Sequence, residues 1–399
     1  MTEARSHSSG TIFDSLVPQP PDAVLALIGQ FREDTRAGKI DLGVGVYRNA
    51  QGRTPVFEAV KAAERALLET QETKAYLGPE GDLAFLEALE PIIFGGAVSS
   101  GDLISVQTPG GTGALRLAAE LAASGKVGAR VWIGTPSWPN HEQIFANAGL
   151  RISSFPYFDQ RTQTIQFEAV RKALRDAEPG DLFLLHGCCH NPSGADFGEA
   201  EWAEIAQHLS ARGIVPLIDL AYQGLGNGLE RDVAGLQEVI ANVDTAIVAY
   251  SLDKNFGLYR ERTGALYVKV NGRYAEAVKS NILKAARCAW SMPPDHGAAA
   301  VRLILEDAQL KSHWRRELDL QRARLFDIRD ALADADERLA PIRRQHGLFS
   351  LLAIDSEGVE ALRRDHAIYM ARNGRINVAG LTMDTIPAFV RALDTVLPR

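Results

Sequence analysis

The sequence predicts an α/β protein, with a large domain built on a mainly parallel sheet covered by helices on both faces and a smaller α+β domain formed by both chain ends. Three observations carry this expectation. Between about residues 100 and 270, short apolar runs alternate with amphipathic helical stretches, as in repeated strand–helix–strand units. Beyond residue 271 the pattern turns helical, and about the last 60 residues mix short strands with helices. The length of 399 residues suffices for two domains or one large α/β unit with an appendage. The expected division is 1–46 for an N-terminal arm and part of the small domain, 47–312 for the large domain, and 313–399 for the rest of the small domain.

Taken in order, residues 1–19 are polar except for Ile12, Phe13 and Leu16 before Pro18. Such an arm either packs on a partner subunit or frays. Pro20-Pro21-Asp22 opens a helix with Val24, Leu25, Leu27, Ile28 and Phe31 on its apolar side, and Gly38 closes it. Ile40 to Tyr47 reads as a strand interrupted by Gly43 and Gly45, where backbone could approach a ligand closely. Thr54-Pro55 starts a helix carrying Val56, Val60, Ala63 and Leu67 at helical spacing. Lys74 to Gly81 is a loop in which Tyr76 either faces a pocket or packs.

The strands of the alternating region are Leu103 to Gln107, Arg130 to Thr135, Arg151 to Phe155, Asp181 to His186, Val215 to Leu220 and Thr245 to Tyr250. Helices fall at 112–124, 139–148, 166–176 and 199–211. A long helix runs from about Leu310 into the 330s and could join two lobes. Short strands at Gly347 to Ile354 and Arg375 to Val378 alternate with helices at 356–365 and 384–396. In sheets of this kind, ligands gather at the carboxyl ends of the strands. The polar clusters of this chain fall there.

Composition removes several function classes. A net charge of −7 with interspersed signs, and no basic run with interleaved aromatics, gives no reason to expect nucleic acid as a partner. Cys188, Cys189 and Cys288 do not make a disulfide framework, which favours a reducing compartment. The first ten residues lack the apolar core of a signal peptide, and no apolar run is of membrane-spanning length. The expected location is cytoplasmic.

Ser251-Leu-Asp-Lys-Asn-Phe-Gly-Leu-Tyr-Arg-Glu-Arg262 follows the buried strand. A lysine at the mouth of a sheet is costly to bury charged, so its amine is easily pushed toward the neutral nucleophile. Ser251 and Arg262 flank Lys254 as an anion-binding pair, and a reactive amine beside a phosphate site suggests a Schiff base with pyridoxal phosphate. The competing readings are a solvated loop and the S-x-x-K of serine β-lactamases. The latter needs an S-D-N and a K-T-G, and neither occurs.

Thr108-Pro-Gly-Gly-Thr-Gly-Ala-Leu-Arg116 lies between a strand and a helix. Its glycines let backbone N–H groups crowd round an anion at the helix N-terminus, with Thr112 adding a hydroxyl. A dinucleotide fingerprint fits the spacing poorly. Asp219 ends an otherwise apolar strand and either caps a turn or needs a cationic partner, for which a pyridinium N–H would serve. Tyr222 follows in the same loop. His186-Gly-Cys-Cys-His-Asn-Pro-Ser-Gly194 invites a zinc reading, but adjacent cysteines do not readily take two tetrahedral corners, so no metal is expected. Asn191 before Pro192 is an extended, outward-facing amide, and Trp138 and His141 follow another strand.

Together these segments resemble the class I (fold-type I) aminotransferases, specifically the aspartate/aromatic amino-acid subgroup. The matching pieces, in family order, are Gly43-Val-Gly-Val-Tyr47, Pro109 to Leu115, Pro136-Ser-Trp-Pro-Asn-His141, His186 to Gly194, Asp219-Leu-Ala-Tyr-Gln-Gly224, Lys254 to Arg262 and Asn373-Gly-Arg-Ile-Asn-Val-Ala-Gly380. The resemblance implies pyridoxal 5′-phosphate as cofactor, held covalently by Lys254, which then shuttles the proton. It implies a phosphate cup of Gly111, Thr112, Ser251 and Arg262, with Tyr76 reaching in from a neighbouring subunit. Asp219 would pair with the pyridine nitrogen, supported by His141; Asn191 and Tyr222 would bind the phenolic oxygen; Trp138 would stack on the ring. Arg375 resembles the arginine that grips the substrate α-carboxylate, with Gly45, Trp138 and Asn191 also at the substrate. Arg287 matches the arginine for a side-chain carboxylate, with Asp22 of the other subunit as its resting partner. A homodimer with shared sites follows from the same resemblance.

Two departures shape the expected chemistry, a ping-pong transamination between an L-amino acid and a 2-oxo acid such as 2-oxoglutarate. Met292 and Ala75 stand where aspartate enzymes often carry asparagine, which favours an aromatic or broad-range enzyme. Asp253 stands where the family usually has serine. A carboxylate about 4 Å from a phosphate would cost roughly 4 kcal/mol per unit charge at an effective dielectric near 20. Asp253 is therefore expected to turn away or to pair with an arginine. The rival readings keep the cofactor but decarboxylate, eliminate or oxidise, or bind it without turnover.

Overall fold

The computed structural model describes residues 11–19 and 23–397; Asp22 and the first ten residues lie outside the described residues. Seven strands form the main sheet: β1 (Leu103–Pro109), β2 (Arg130–Thr135), β3 (Arg151–Pro156), β4 (Leu182–His186), β5 (Val215–Leu220), β6 (Ala246–Ser251) and β7 (Thr263–Lys269). Their spatial order is β1-β7-β6-β5-β4-β2-β3. All neighbours from β6 across to β3 pair in parallel, whereas β7 runs antiparallel to both β1 and β6.

The central strands β4, β5 and β6 are largely apolar and buried because both faces of the sheet are covered there, whereas the edge strand β3 is largely exposed or half-buried. Alternate side chains enter two separate cores. Phe183, Leu185, Val248 and Tyr250 join one with Ile304 and Trp314. Leu182, Leu184, Ile247 and Ala249 join the other with Leu115 and Phe145. The helix α1 (Gly110–Gly125) follows β1 directly and buries Leu115, Leu117 and Ala118 in the second core.

Both chain ends build the small lobe. Ile40–Asp41 pairs in parallel with Ile368–Tyr369, and Phe349–Leu351 pairs antiparallel with Arg375–Asn377. The helix α2 (Ala308–Ala335) spans 28 residues, about 42 Å at 1.5 Å per residue, and connects the lobes. Asp307 caps its start by accepting from the Gln309 and Leu310 N–H groups.

Three expectations need correction. The run Ile40 to Tyr47 is a strand only at Ile40–Asp41; the chain then bends at Val44 and Val46, and at Gly43 a Cβ would come 2.1 Å from Leu27 Cδ2. The helix expected from Thr54 begins at Glu58, leaving Val56 exposed. Its first N–H groups are met from α2: Glu317 accepts from Glu58 N at 2.8 Å and Ala59 N at 3.1 Å. Thr54 instead donates to the Tyr47 carbonyl at 2.9 Å. Finally, β7 is an additional strand, reached from β6 through the helix-free segment 252–262.

Candidate active site

The sheet's carboxyl ends and the small lobe enclose a cavity of about 310 Å³, within the range of small-molecule sites. Gly45, Gly111, Thr112, Trp138, Asn191, Asp219, Tyr222, Ser251, Lys254, Arg262 and Arg375 all line it, so the topology gathers residues from seven separated segments.

The anion cradle depends on close backbone approach. Gly110 has φ +71°, and a Cβ there would stand 2.4 Å from Arg262 Nη2. Gly264, on β7, lies so near that its Cβ would be 2.5 Å from the Gly110 carbonyl carbon. No side chain caps α1, so its first-turn N–H groups and positive dipole end are available to an anion. Arg262 is itself left-handed, φ +55°, a conformation costing a non-glycine residue about 1–2 kcal/mol.

Arg262 Nη1 donates to Asp253 Oδ2 at 2.9 Å and to the Tyr259 carbonyl at 3.0 Å. Asp253 thus pairs with an arginine, one of the two arrangements the charge argument allowed. Lys254 Nζ lies 3.6 Å from the same carboxylate oxygen and 5.3 Å from the Tyr222 ring centre. The loop bearing Lys254 is fixed from behind. Trp314 stacks on Phe256 at 4.3 Å and donates from Nε1 to the Asn255 carbonyl at 2.7 Å. Asn255 donates to the Tyr250 hydroxyl at 2.9 Å, which donates in turn to Gln223 Oε1 at 2.8 Å.

Asp219, next to last in β5, lines the cavity and is 9% exposed. His141 Nε2 donates to its Oδ2 at 2.9 Å; His141 Nδ1 is hydrogen-bonded to Ser137 Oγ at 2.9 Å, and that oxygen to His186 Nε2 at 3.3 Å. Burial pushes the Asp219 pKa up, but the His141 hydrogen bond and nearby positive charge more than offset it, leaving a net downward shift. Burial, then the neighbouring His141, lowers the His186 pKa to about 3. Burial pushes the Tyr222 phenol above its ordinary value.

Arg375 ties three segments together. It donates from Nη2 to the Gly43 carbonyl at 3.0 Å and from Nη1 to Asn191 Oδ1 at 3.3 Å, and its guanidinium sits 4.3 Å over the Phe349 ring. Its buried Nε has no hydrogen-bond partner. A Cβ on Gly45 would come 3.0 Å from Phe349 Cζ.

Two site candidates stand apart. Tyr76 is 92% exposed, and Arg287 is exposed on the helix Gly272–Ala289, hydrogen-bonded to Ser291 Oγ; neither lines this chain's cavity. Sequence reasoning missed Leu115, Ala221 and Phe349 as wall residues. Each is one apolar residue among many, and only the fold distinguishes them. His186 also joins the wall, whereas the Cys188 and Cys189 sulfurs gather with an Asp232 oxygen, all within 4.8 Å of one another. Asp232 already accepts backbone N–H groups from Gly224, Gly226 and Asn227.

The donor set fits a phosphorylated pyridine aldehyde and an amino acid. It offers an amine, an anion cradle, a buried carboxylate for a ring N–H, and a guanidinium with spare donors. Residues 37–393 match the family model "Aminotransferase class I and II". The chain is 50% identical over 376 residues to a tyrosine aminotransferase of Rhizobium meliloti, covering 93% of this chain and 96% of that one. It is 39% identical to an aspartate aminotransferase of Escherichia coli, covering 97% and 100%. A solved aromatic-amino-acid aminotransferase from Burkholderia pseudomallei, covalently bound to pyridoxal phosphate, superposes with a TM-score of 0.94 at 34% identity, covering 98% and 100%.

Proposed function

The chain belongs to the aminotransferase class I and II family, and from that premise we propose how its residues divide the work of transamination. The enzyme is a pyridoxal-phosphate-dependent aminotransferase. When bound, the cofactor supplies an aldehyde that captures amino groups and a pyridine ring that draws electrons from the bond being broken.

Lys254 Nζ is the amine that would hold the cofactor's aldehyde carbon. Lys254 Nζ would also serve as the positioned base that carries the substrate α-proton. Asp219 accepts the ring N–H and keeps it protonated, and His141 holds that carboxylate in place. Gly111, Thr112, Ser251 and Arg262 hold the phosphate. Trp138 covers the ring, while Asn191 and Tyr222 meet its phenolic oxygen. Arg375 takes the substrate α-carboxylate beside Gly45, which fixes the amine against the reacting carbon. The observation that carries this reading is one cavity lined by Lys254, by Asp219 with His141 held behind it at 2.9 Å, and by the uncapped start of α1.

Tyr76 and Arg287 complete the site of a partner subunit in a homodimer; their exposure on this chain supports that placement. Residues 47–312 form the cofactor-holding lobe, and 1–46 with 313–399 the lobe that closes over substrate. The substrates are aromatic amino acids and aspartate, with a 2-oxo acid such as 2-oxoglutarate as acceptor. The relatives' names and the apolar Met292 and Ala75 favour this range. Three free cysteines favour a cytoplasmic, reducing location. Among the described residues no helix is long and apolar enough to cross a membrane.

A half-reaction screen tests the proposal. Aspartate, glutamate, tyrosine and phenylalanine should each convert the cofactor to its amine form, read by absorbance, and release the matching 2-oxo acid. Release of carbon dioxide or ammonia in place of the 2-oxo acid would contradict it.

A further inference from the structure

Asp253 sits between the two cations on which the proposed reading depends. Its Oδ2 accepts from Arg262 Nη1 at 2.9 Å and lies 3.6 Å from Lys254 Nζ. Its Oδ1 is buried and has no hydrogen-bond partner, although the residue lines the same cavity as Gly111, Thr112 and Ser251. A buried carboxylate with an unclaimed oxygen is held there by its cations, since burial alone would disfavour it. The guanidinium that a phosphate needs is therefore already engaged by an acid of the chain itself.

We propose that Asp253 is the internal counter-ion of the phosphate cradle. It compensates Arg262 and Lys254 while no phosphate is bound, and it weakens the cradle's hold on a phosphate dianion, so that the cofactor exchanges readily. With a neutral residue at 253, Arg262 and Lys254 together present a formal charge of +2. With aspartate the cluster presents +1. At about 5 Å and an effective dielectric near 20, one unit of charge changes monoanion affinity by roughly two orders of magnitude, of which about tenfold or more survives solvent screening. This inference rests on the site reading above, and its test separates the two.

The apoprotein, with Asp253→Ser and Asp253→Asn, is titrated with pyridoxal phosphate and with pyridoxal, which lacks the phosphate. Absorbance of the Lys254 adduct is the readout. Both substitutions should tighten pyridoxal phosphate binding by about tenfold or more beyond any shift in pyridoxal affinity, which reports the Lys254 amine alone. Unchanged or weaker pyridoxal phosphate binding, or an equal shift for both aldehydes, overturns the inference. So does loss of both aldehydes in both variants, because a counter-ion is not needed to present Lys254. If the unsubstituted protein forms no chromophore, the site reading itself fails. A chromophore whose affinity ignores position 253 overturns only this inference.

Discussion

His186 shows how a residue with no assigned chemistry can govern pH behaviour. It ends the hydrogen-bonded chain from Asp219 through His141 and Ser137, and its folded pKa is lowered from 6.5 to about 3. Between those values the unfolded chain binds more protons, so stability is fully present above pH 6.5 and falls as pH drops toward 3. Urea unfolding of His186→Gln against the unsubstituted protein should show a flatter acid limb in that window, with a difference of up to a few kcal/mol. Parallel limbs would show that His186 does not carry the effect. At this scale the sequence was most informative where chemistry demands a residue type at a strand end. Lys254 and Asp219 stand out because a charged group at the end of an apolar run is costly without a partner, whereas Arg375 was reached only through the family resemblance. Phe349 was illegible for the opposite reason: an apolar residue in a short strand carries no mark of the ligand it faces.

Trp314 belongs to α2, yet it supports the loop that carries Lys254. It is fully buried, stacks on Phe256 at 4.3 Å and bonds to the Asn255 carbonyl. Trp314→Ala should cost about 3–5 kcal/mol of stability by denaturant titration, with cofactor affinity falling alongside it. A loss below about 1 kcal/mol would mean that the loop does not lean on the helix. Most strands were legible because each parallel strand needs a crossover helix, and the two periodicities alternate in the sequence. β7 breaks that alternation, since an antiparallel neighbour can be reached through the short segment 252–262. The Glu58–Thr70 helix begins late because Glu317, distant in sequence, supplies its first acceptors. No local pattern encodes such a cap.

The whole molecule joins its two ends in one small lobe, where Arg375 and the Gly43 carbonyl meet. The site of one chain lacks two groups that the resemblance implies, and both are exposed elsewhere on the same chain. Complementation tests the shared site. Lys254→Ala and Arg287→Leu proteins, each impaired with aspartate, should regain about a quarter of native activity after unfolding and refolding together, because half the dimers are mixed and each has one intact site. No recovery would place Arg287 outside the partner's site.

The central claim is that Lys254 is the amine that holds the cofactor. Borohydride reduction of the pyridoxal-phosphate-loaded protein, followed by peptide mapping, tests it most directly. The expected result is a phosphopyridoxyl mass on the peptide containing Lys254, with the yellow colour and the label both lost in Lys254→Ala. A label on a different lysine, or an undiminished chromophore in Lys254→Ala, would contradict the account.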